Sequence, residues 1–454
     1  FGLNHGWTFL AERAHSRWLR SADPQTGTPV DLPHSWNEQD TFQSAMRYRQ
    51  GHGSYQRSFR IPSDDARSHD LRWELVSEGF YGVGDLWLNG RRVCTIDGQY
   101  LGFRIDVTDR LNPATDNVVG IRLDNDYHPH VLPGKKMPDF LLHGGLAGQI
   151  HLEAHSLLHI AADSLRARCA DPLATRPTLQ VAVMVRNDGA AAQRTCAAFT
   201  LAGPGGDVVQ DQATEPVDIL PGAEQELACS FSVSDAQHWS PDHPALYHVV
   251  ARLISNDTIL DAAEKRFGIR AAEFRKDGFF LNGTRLRLRG ANRHECMPGF
   301  GNALPRHVHR MDARLLKEAG LNLVRLAHYP QHPDFLDACD EFGIMVYAEI
   351  ASWKSVRPGP WGRAAVRQMR AMLHRDRHHP AVILWGMGNE SRSGIVFRAL
   401  QRIVQQMDPT RATIYAENHL HRGARRRTLN IPDVLGVNYE LDRLWDPHRP
   451  AGRH

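Results

Sequence analysis

Asn292-Arg-His-Glu295, His328-Tyr-Pro330, Ala348-Glu349, Gly388-Asn-Glu390, Glu417-Asn418 and Asn438-Tyr-Glu440 share one property: each follows a short segment with the pattern of a strand. Carboxylates, imidazoles, amides and tyrosines thus recur at the same point of a repeating pattern. No Ser-His or Cys-His pairing signature accompanies them. These residue types suit cleavage of a glycosidic bond. That reaction needs one carboxylic acid to protonate the leaving oxygen, and a second carboxylate to attack the anomeric carbon or activate water. The acid must hold its proton near neutral pH, which partial burial beside another carboxylate favours. Asparagines hydrogen-bond sugar hydroxyls, and aromatic rings stack on sugar faces.

The elements that would bring these residues together are parallel βα units. Arg306 to Ala319 carries Met311, Leu315, Leu316 and Ala319 on one helical stripe. Further helices are expected over 333–341, 364–377 and 395–407. Strands are expected at Leu286–Leu288, Asn322–Arg325, Ile344–Tyr347, Val382–Trp385, Ala412–Tyr415 and Val434–Val437. Strand–helix alternation of this kind implies a parallel sheet with the helices packed on it. In closed parallel barrels the chemistry sits at the C-terminal strand ends. Six units are two short of a (β/α)8 TIM barrel, and an open fragment would leave unpaired edges. The last residues, from Asp446 to His454, show no strand pattern. The expectation is therefore that 271–454 is the N-terminal part of a TIM-barrel domain whose last two units have been lost.

The first 270 residues have a different grammar. Leu71–Val76 and Phe103–Val107 alternate apolar and polar residues, and Asp85-Leu-Trp-Leu88 runs into Asn89-Gly90, a hairpin-turn dipeptide. Residues 1–155 read as a sugar-binding-like jelly-roll β-sandwich. In 156–270, Leu179, Val181, Val183 and Val185 repeat the alternation, as do Leu227, Cys229, Phe231 and Val233. Pro204-Gly-Gly206 and Pro221-Gly222 break it. This segment reads as an immunoglobulin-like sandwich.

Composition sets limits on the rest. A net charge of +3 over 454 residues is no nucleic-acid footprint, and the run Arg422–Arg427 is expected to be a solvated face. No apolar run approaches a membrane span. The six cysteines match no zinc or disulfide framework, although Cys169, Cys196 and Cys229 fall close enough in sequence to allow one disulfide. The chain begins with Phe1, which suggests processing or a cut from something longer. The pair His378-His379 before Pro380 is expected to be an ordinary turn rather than a metal site. Nothing in the sequence assigns a cytoplasmic or periplasmic address, and the composition is compatible with a homo-oligomer.

Arg377-His-His-Pro-Ala-Val-Ile-Leu-Trp-Gly-Met-Gly-Asn-Glu-Ser391 resembles the acid/base signature of family 2 glycoside hydrolases, the group of β-galactosidases and β-glucuronidases. Asn322-Leu-Val-Arg-Leu-Ala-His-Tyr-Pro330 and Gly290-Ala-Asn-Arg-His-Glu295 are similar to its second- and first-strand motifs. Leu32-Pro-His-Ser-Trp-Asn37, Gly53–Phe59, Leu88-Asn-Gly90, Asp139–Gly145 and Trp239–Tyr247 extend the resemblance in order over nearly the whole chain. It implies a retaining exo-β-glycosidase, most like a β-galactosidase, acting on a carbohydrate without cofactor. It implies that Glu390 is the general acid/base and that Asn389 holds the sugar 2-hydroxyl. Arg325 would brace the nucleophile, and Tyr439 would contact it. His294 and His328 would line the sugar subsite, Asp139 would reach the sugar from the first sandwich, and Glu349 would belong to the site's polar network beside the substrate. The family's nucleophile is a glutamate after a seventh strand, so the chain is expected to be inactive if it lacks one; a catalytically dead carbohydrate-binding protein and a β-glucuronidase-like enzyme are the alternatives. The metal-binding carboxylate and histidine of some β-galactosidases fall here on Trp353 and Ser355, so no magnesium is expected there. The arginine that usually follows the paired glycines is replaced in Gly145-Leu-Ala-Gly148.

Overall fold

A computed structural model describes residues 1–15, 18–20, 26–42, 48–61, 71–133, 138–355, 357–391, 393–422 and 428–439. Most of the basic run after Arg422, Glu440 and the segment from 446 to 454 lie outside the described residues.

The first sandwich packs a six-stranded antiparallel sheet against a three-stranded one. The larger sheet runs in the order Thr28–Val30, Trp7–Leu10, His52–Phe59, Asn117–Asp124, Val83–Leu88, Arg91–Asp97. The smaller holds Ile150–Ser156, Leu71–Ser77 and Phe103–Asp106. Alternation places Trp73 and Leu75 inward, against Tyr55, Ile121 and Leu86. The hairpin at Asn89-Gly90 forms as its residues require, with φ of 49° and 76°. Two of the sequence motifs meet here. Ser35 pairs with Gly145, and Asn37 Oδ1 accepts from the Gly144 amide at 2.7 Å.

The second sandwich stacks Thr178–Asn187, with its neighbours Leu158–Ile160, Arg166–Cys169 and Glu224–Ser232, on a sheet built around Gln193–Ala202 and Tyr247–Ser255. Val181, Val183 and Val185 face Phe199, Leu201 and Val249 across the core. No disulfide forms, because all six cysteines are free. Register explains this. Cys169 and Cys229 lie on opposite sides of the central strand, opposite Leu179 and Val181. Two inter-strand spacings, roughly 9–10 Å, exceed the Cα reach of a disulfide. Cys196 belongs to the other sheet, opposite Ile254.

The last part is a six-stranded, all-parallel sheet in sequential order. Its elements are labelled here β1 (Gly290–Arg293), α1 (Arg306–Glu318), β2 (Leu323–Leu326), α2 (Pro333–Phe342), β3 (Met345–Glu349), α3 (Pro360–Asp376), β4 (Val382–Asn389), α4 (Gly394–Met407), β5 (Ala412–Glu417) and β6 (Val434–Val437). The first strand is thus Gly290–Arg293 and not Leu286–Leu288. Leu286 and Leu288 pack against the core, but their backbone stays off the ladder. Gly290 begins it, where a Cβ would lie 2.4 Å from the Leu323 carbonyl oxygen, so only glycine permits the approach. β3 and β4 are buried along their whole length, as strands of a two-sided parallel sheet must be. α2 starts with Pro333 after the His332 cap and stops at Gly343 with φ 71°.

Contacts between the three parts set the site's walls. Trp239 of the second sandwich is fully buried and donates to the Asp340 carbonyl at 2.9 Å. Tyr100 of the first sandwich stacks on Tyr329, which follows β2, with centroids 4.3 Å apart. His379 is bonded to Asp340 at 2.6 Å and buried. Among the described residues no helix is long and apolar enough to cross a membrane.

The segment after Glu390 enters α4 through Ser393, whose hydroxyl accepts from the Val396 amide at 3.4 Å. Ser393→Ala removes this cap and is expected to lower stability by about 1 kcal/mol. The change would be read as a reduced urea midpoint at unchanged m-value.

Candidate active site

The chemistry-bearing residues collect at the C-terminal ends of β1 to β6. At the floor lies Glu349, the last residue of β3, with no exposed surface. One of its oxygens accepts from Arg325 Nη2 at 2.9 Å and Nε at 3.2 Å. The other is bonded to His328 Nδ1. Burial alone would raise the carboxyl's pKa, but the Arg325 guanidinium and His328 outweigh it and pull it down to about 2. Glu349 is therefore an ionised anchor beneath the site. Its bonds to Arg325 and His328 make it part of the site's polar network, beneath Arg325.

Arg325 links this floor to β4. Its Nη2 also donates to Asn389 Oδ1 at 2.9 Å, and Asn438 Nδ2, just past β6, donates to the same oxygen at 3.0 Å. With its oxygen doubly committed, the Asn389 amide has its orientation fixed and presents its NH2 group.

Glu390 follows, in a backbone conformation few residues adopt. Gly388 has φ 148° and Glu390 φ 50°. A left-handed non-glycine residue costs on the order of 1–3 kcal/mol and persists only where the surroundings hold it. Here the Glu390 amide donates to the Ala416 carbonyl at 2.8 Å. Its carboxyl accepts from Asn438 Nδ2 at 3.1 Å on Oε1 and from Asn418 Nδ2 at 2.8 Å on Oε2. Lys354 Nζ lies 3.1 Å from the same Oε2, over the Trp353 ring. Three donors from three different strand ends thus aim one carboxyl.

An aromatic wall comes from the first sandwich. Phe140 lies 5.4 Å from the His294 ring and 6.0 Å from His328, centroid to centroid. Burial, and then the neighbouring His328, lower the His294 pKa, so its imidazole is neutral at neutral pH. His294 Nδ1 is buried without a hydrogen-bond partner among the described residues.

The structure brings Glu390, Asn389, Arg325, His328 and Glu349 into one bonded network, with His294 beside it. Two expected residues stand apart. Asp139 is exposed next to Phe140, and its charge is felt at His294. Tyr439 is 85% exposed, with φ 66°, two residues past β6, the last strand of the sheet among the described residues. Trp353 and Ser355 are buried. Between them stands Lys354, which sequence reasoning missed; nothing in its spacing signals that its loop returns to β4. Asn418 and Asn438 were visible as strand-end residues, but their grip on Glu390 was not. Phe140 was passed over for its charged neighbour.

Glu417, at the end of β5, is fully buried. It accepts from the Tyr415 hydroxyl at 3.0 Å and from the amides of Asn418 and His419 at 3.0 and 3.1 Å.

Comparison with known proteins agrees with this architecture. Residues 7–143 match the model of the glycosyl hydrolase 2 galactose-binding domain-like fold, 159–270 that of glycosyl hydrolases family 2, and 272–445 that of the family 2 TIM barrel domain. A β-galactosidase of Thermoanaerobacter pseudethanolicus is 29% identical over 428 residues, covering 90% of this chain and 54% of that protein. A β-glucuronidase of Bacteroides fragilis is 27% identical over 438 residues, covering 92% and 60%. The crystal structure of a Bacteroides uniformis β-glucuronidase superposes with a TM-score of 0.89 at 26% identity, covering 96% of this chain and 55% of that one. The chain thus spans little more than half the length of these relatives. With three family models matching in order along it, and a strand-end Glu390 held by its neighbours, the chain belongs to glycoside hydrolase family 2.

Proposed function

We propose that this chain carries the acid/base half of a retaining exo-β-glycosidase site, acting on terminal β-linked sugars and on β-galactosides first. The observation that supports it most is Glu390. A carboxyl at the end of β4, in a strained backbone turn and held by Asn418, Asn438 and Lys354, is fixed in one orientation. Preorganisation of that kind suits proton delivery to a glycosidic oxygen and later activation of water. Asn389 would hold the sugar 2-hydroxyl through its NH2 group. His294, His328 and Phe140 would wall the subsite. Arg325, anchored by Glu349, keeps its Nη1 donors for the partner carboxylate. Family resemblance places that glutamate after a seventh strand, about 5–5.5 Å from the acid/base in a retaining pair.

A second reading, a β-glucuronidase, is favoured by the names of the Bacteroides relatives. Hydrolysis of p-nitrophenyl β-galactoside, β-glucuronide, β-mannoside and β-glucoside by this chain within a protein that supplies the partner carboxylate, beside a Glu390→Gln control, separates the readings. Galactoside turnover lost in the control supports the proposal, and a preference for glucuronide moves it to the second reading. Sugar binding by calorimetry with no turnover identifies a binding protein that does not hydrolyse. Turnover that Glu390→Gln leaves intact overturns the assignment.

Phe140→Ala tests the wall. It is expected to raise KM by roughly 2- to 10-fold, the worth of one aromatic contact, with kcat little changed. A fall in kcat at constant KM would place Phe140 in the chemistry instead.

A further inference from the structure

A cavity of ≈ 570 Å³ opens between the second sandwich and the N-terminal side of the barrel sheet, away from Glu390. Its walls come from the strands Arg166–Cys169, Thr178–Asn187 and Glu224–Ser232, from the end of α3, and from the turn between α4 and β5. It shares no residue with the glycoside site.

The charges lining it do not balance. Three carboxylates line it, and each already has a cation. Asp163 is paired with Lys265 at 3.3 Å, Asp408 with Arg411 at 2.5 Å, and Glu226 with Arg166. That leaves Arg168, Arg270 and Arg377 with no carboxylate in ion-pair contact among the described residues. Arg270 donates to the carbonyls of Pro380 and Val382, both at 2.6 Å, which are neutral partners. The carboxyl end of α3 offers Arg377 a partial negative charge, and Arg168, at an exposed position on a sandwich strand, has only solvent to offset its charge. Volumes of this size suit a small molecule. A carboxylate would offset one of the three charges, whereas a phosphate or sulfate ester brings up to two and matches guanidinium geometry.

We propose that this cavity binds a small molecule bearing a tetrahedral oxyanion, with Arg168, Arg270 and Arg377 as its cationic partners. The local electrostatics agree. Burial, then the neighbouring Arg166, lower the Arg377 pKa, and burial with Arg411 brings Arg270 down to about 9. A bound dianion would oppose both shifts through its charge.

Isothermal titration of the purified protein with inorganic phosphate, inorganic sulfate and glucose 6-phosphate, each against chloride at matched ionic strength, tests the site. Saturable binding of at least one is expected, weakened about tenfold or more in Arg377→Gln, the loss of one charge-assisted contact. Arg168→Gln, on an exposed strand position, gives the same readout should Arg377→Gln fail to fold. Tighter binding of the sugar phosphate identifies an ester as the ligand, and equal binding of the free ions identifies the oxyanion alone; both support the site. Glu390→Gln is expected to bind the anion as the parent does, so the proposal stands or falls apart from the glycosidase reading. No binding above chloride, or affinity unchanged in both arginine variants, overturns it.

Discussion

In a protein that also supplies the partner carboxylate, Glu390→Gln is expected to lower kcat/KM for a β-galactoside with a poor leaving group by about 10²–10⁴-fold, the usual worth of general acid catalysis. For a 2,4-dinitrophenyl galactoside the loss in kcat/KM should be far smaller, because that leaving group departs without a proton. Its kcat should still fall, since the same residue must then activate the water that releases the sugar. The isosteric amide can keep much of the hydrogen-bonded geometry around it, so the contrast reports proton transfer rather than collapse of the site. Equal losses in kcat/KM for both leaving groups would show that Glu390 positions the substrate without acting as an acid.

Glu349→Gln is expected to destabilise the protein by about 3–5 kcal/mol, the cost of leaving a buried charge without its partner. Arg325, largely buried, would then keep only the more distant charge of Glu390 to balance it. Urea denaturation followed by tryptophan fluorescence gives the number. The double variant Arg325→Met/Glu349→Leu should lose less than Glu349→Gln, because an apolar pair removes both charges together. If the double loss equals the sum of the single losses, the pair is not coupled and the floor of the site is misread.

The same carboxylate predicts a pH dependence. Its pKa falls from 4.5 unfolded to about 2 folded. The native state therefore favours the ionised form, and the associated stability is fully present above pH 4.5. It is lost as pH falls from there towards 2, where the folded carboxyl also takes its proton. Stability measured from pH 6 to pH 3 should drop more steeply in the parent than in Glu349→Gln. Parallel curves would assign acid sensitivity to other carboxylates.

Sequence alone determined the kinds of layers and the level at which the chemistry sits. Period-two alternation at Leu71–Val76 and at Leu179–Val185 needs only neighbouring residues to be read, and both became sandwich strands. The helical stripe of Arg306–Ala319 became α1. Polar residues after each strand-like segment became the mouth of a parallel sheet, because every strand of such a sheet ends on the same side. What depended on pairing was misplaced or invisible. The first strand moved to Gly290–Arg293, since only the approach of Leu323 decides which residues join the ladder. Cys169 and Cys229 looked close along the chain and were separated by a strand. Only the tertiary structure returned Lys354 to Glu390, placed Phe140 over His294 and buried Glu349 under Arg325. Those outcomes arise from contacts between residues far apart in sequence, where no local periodicity carries a signal.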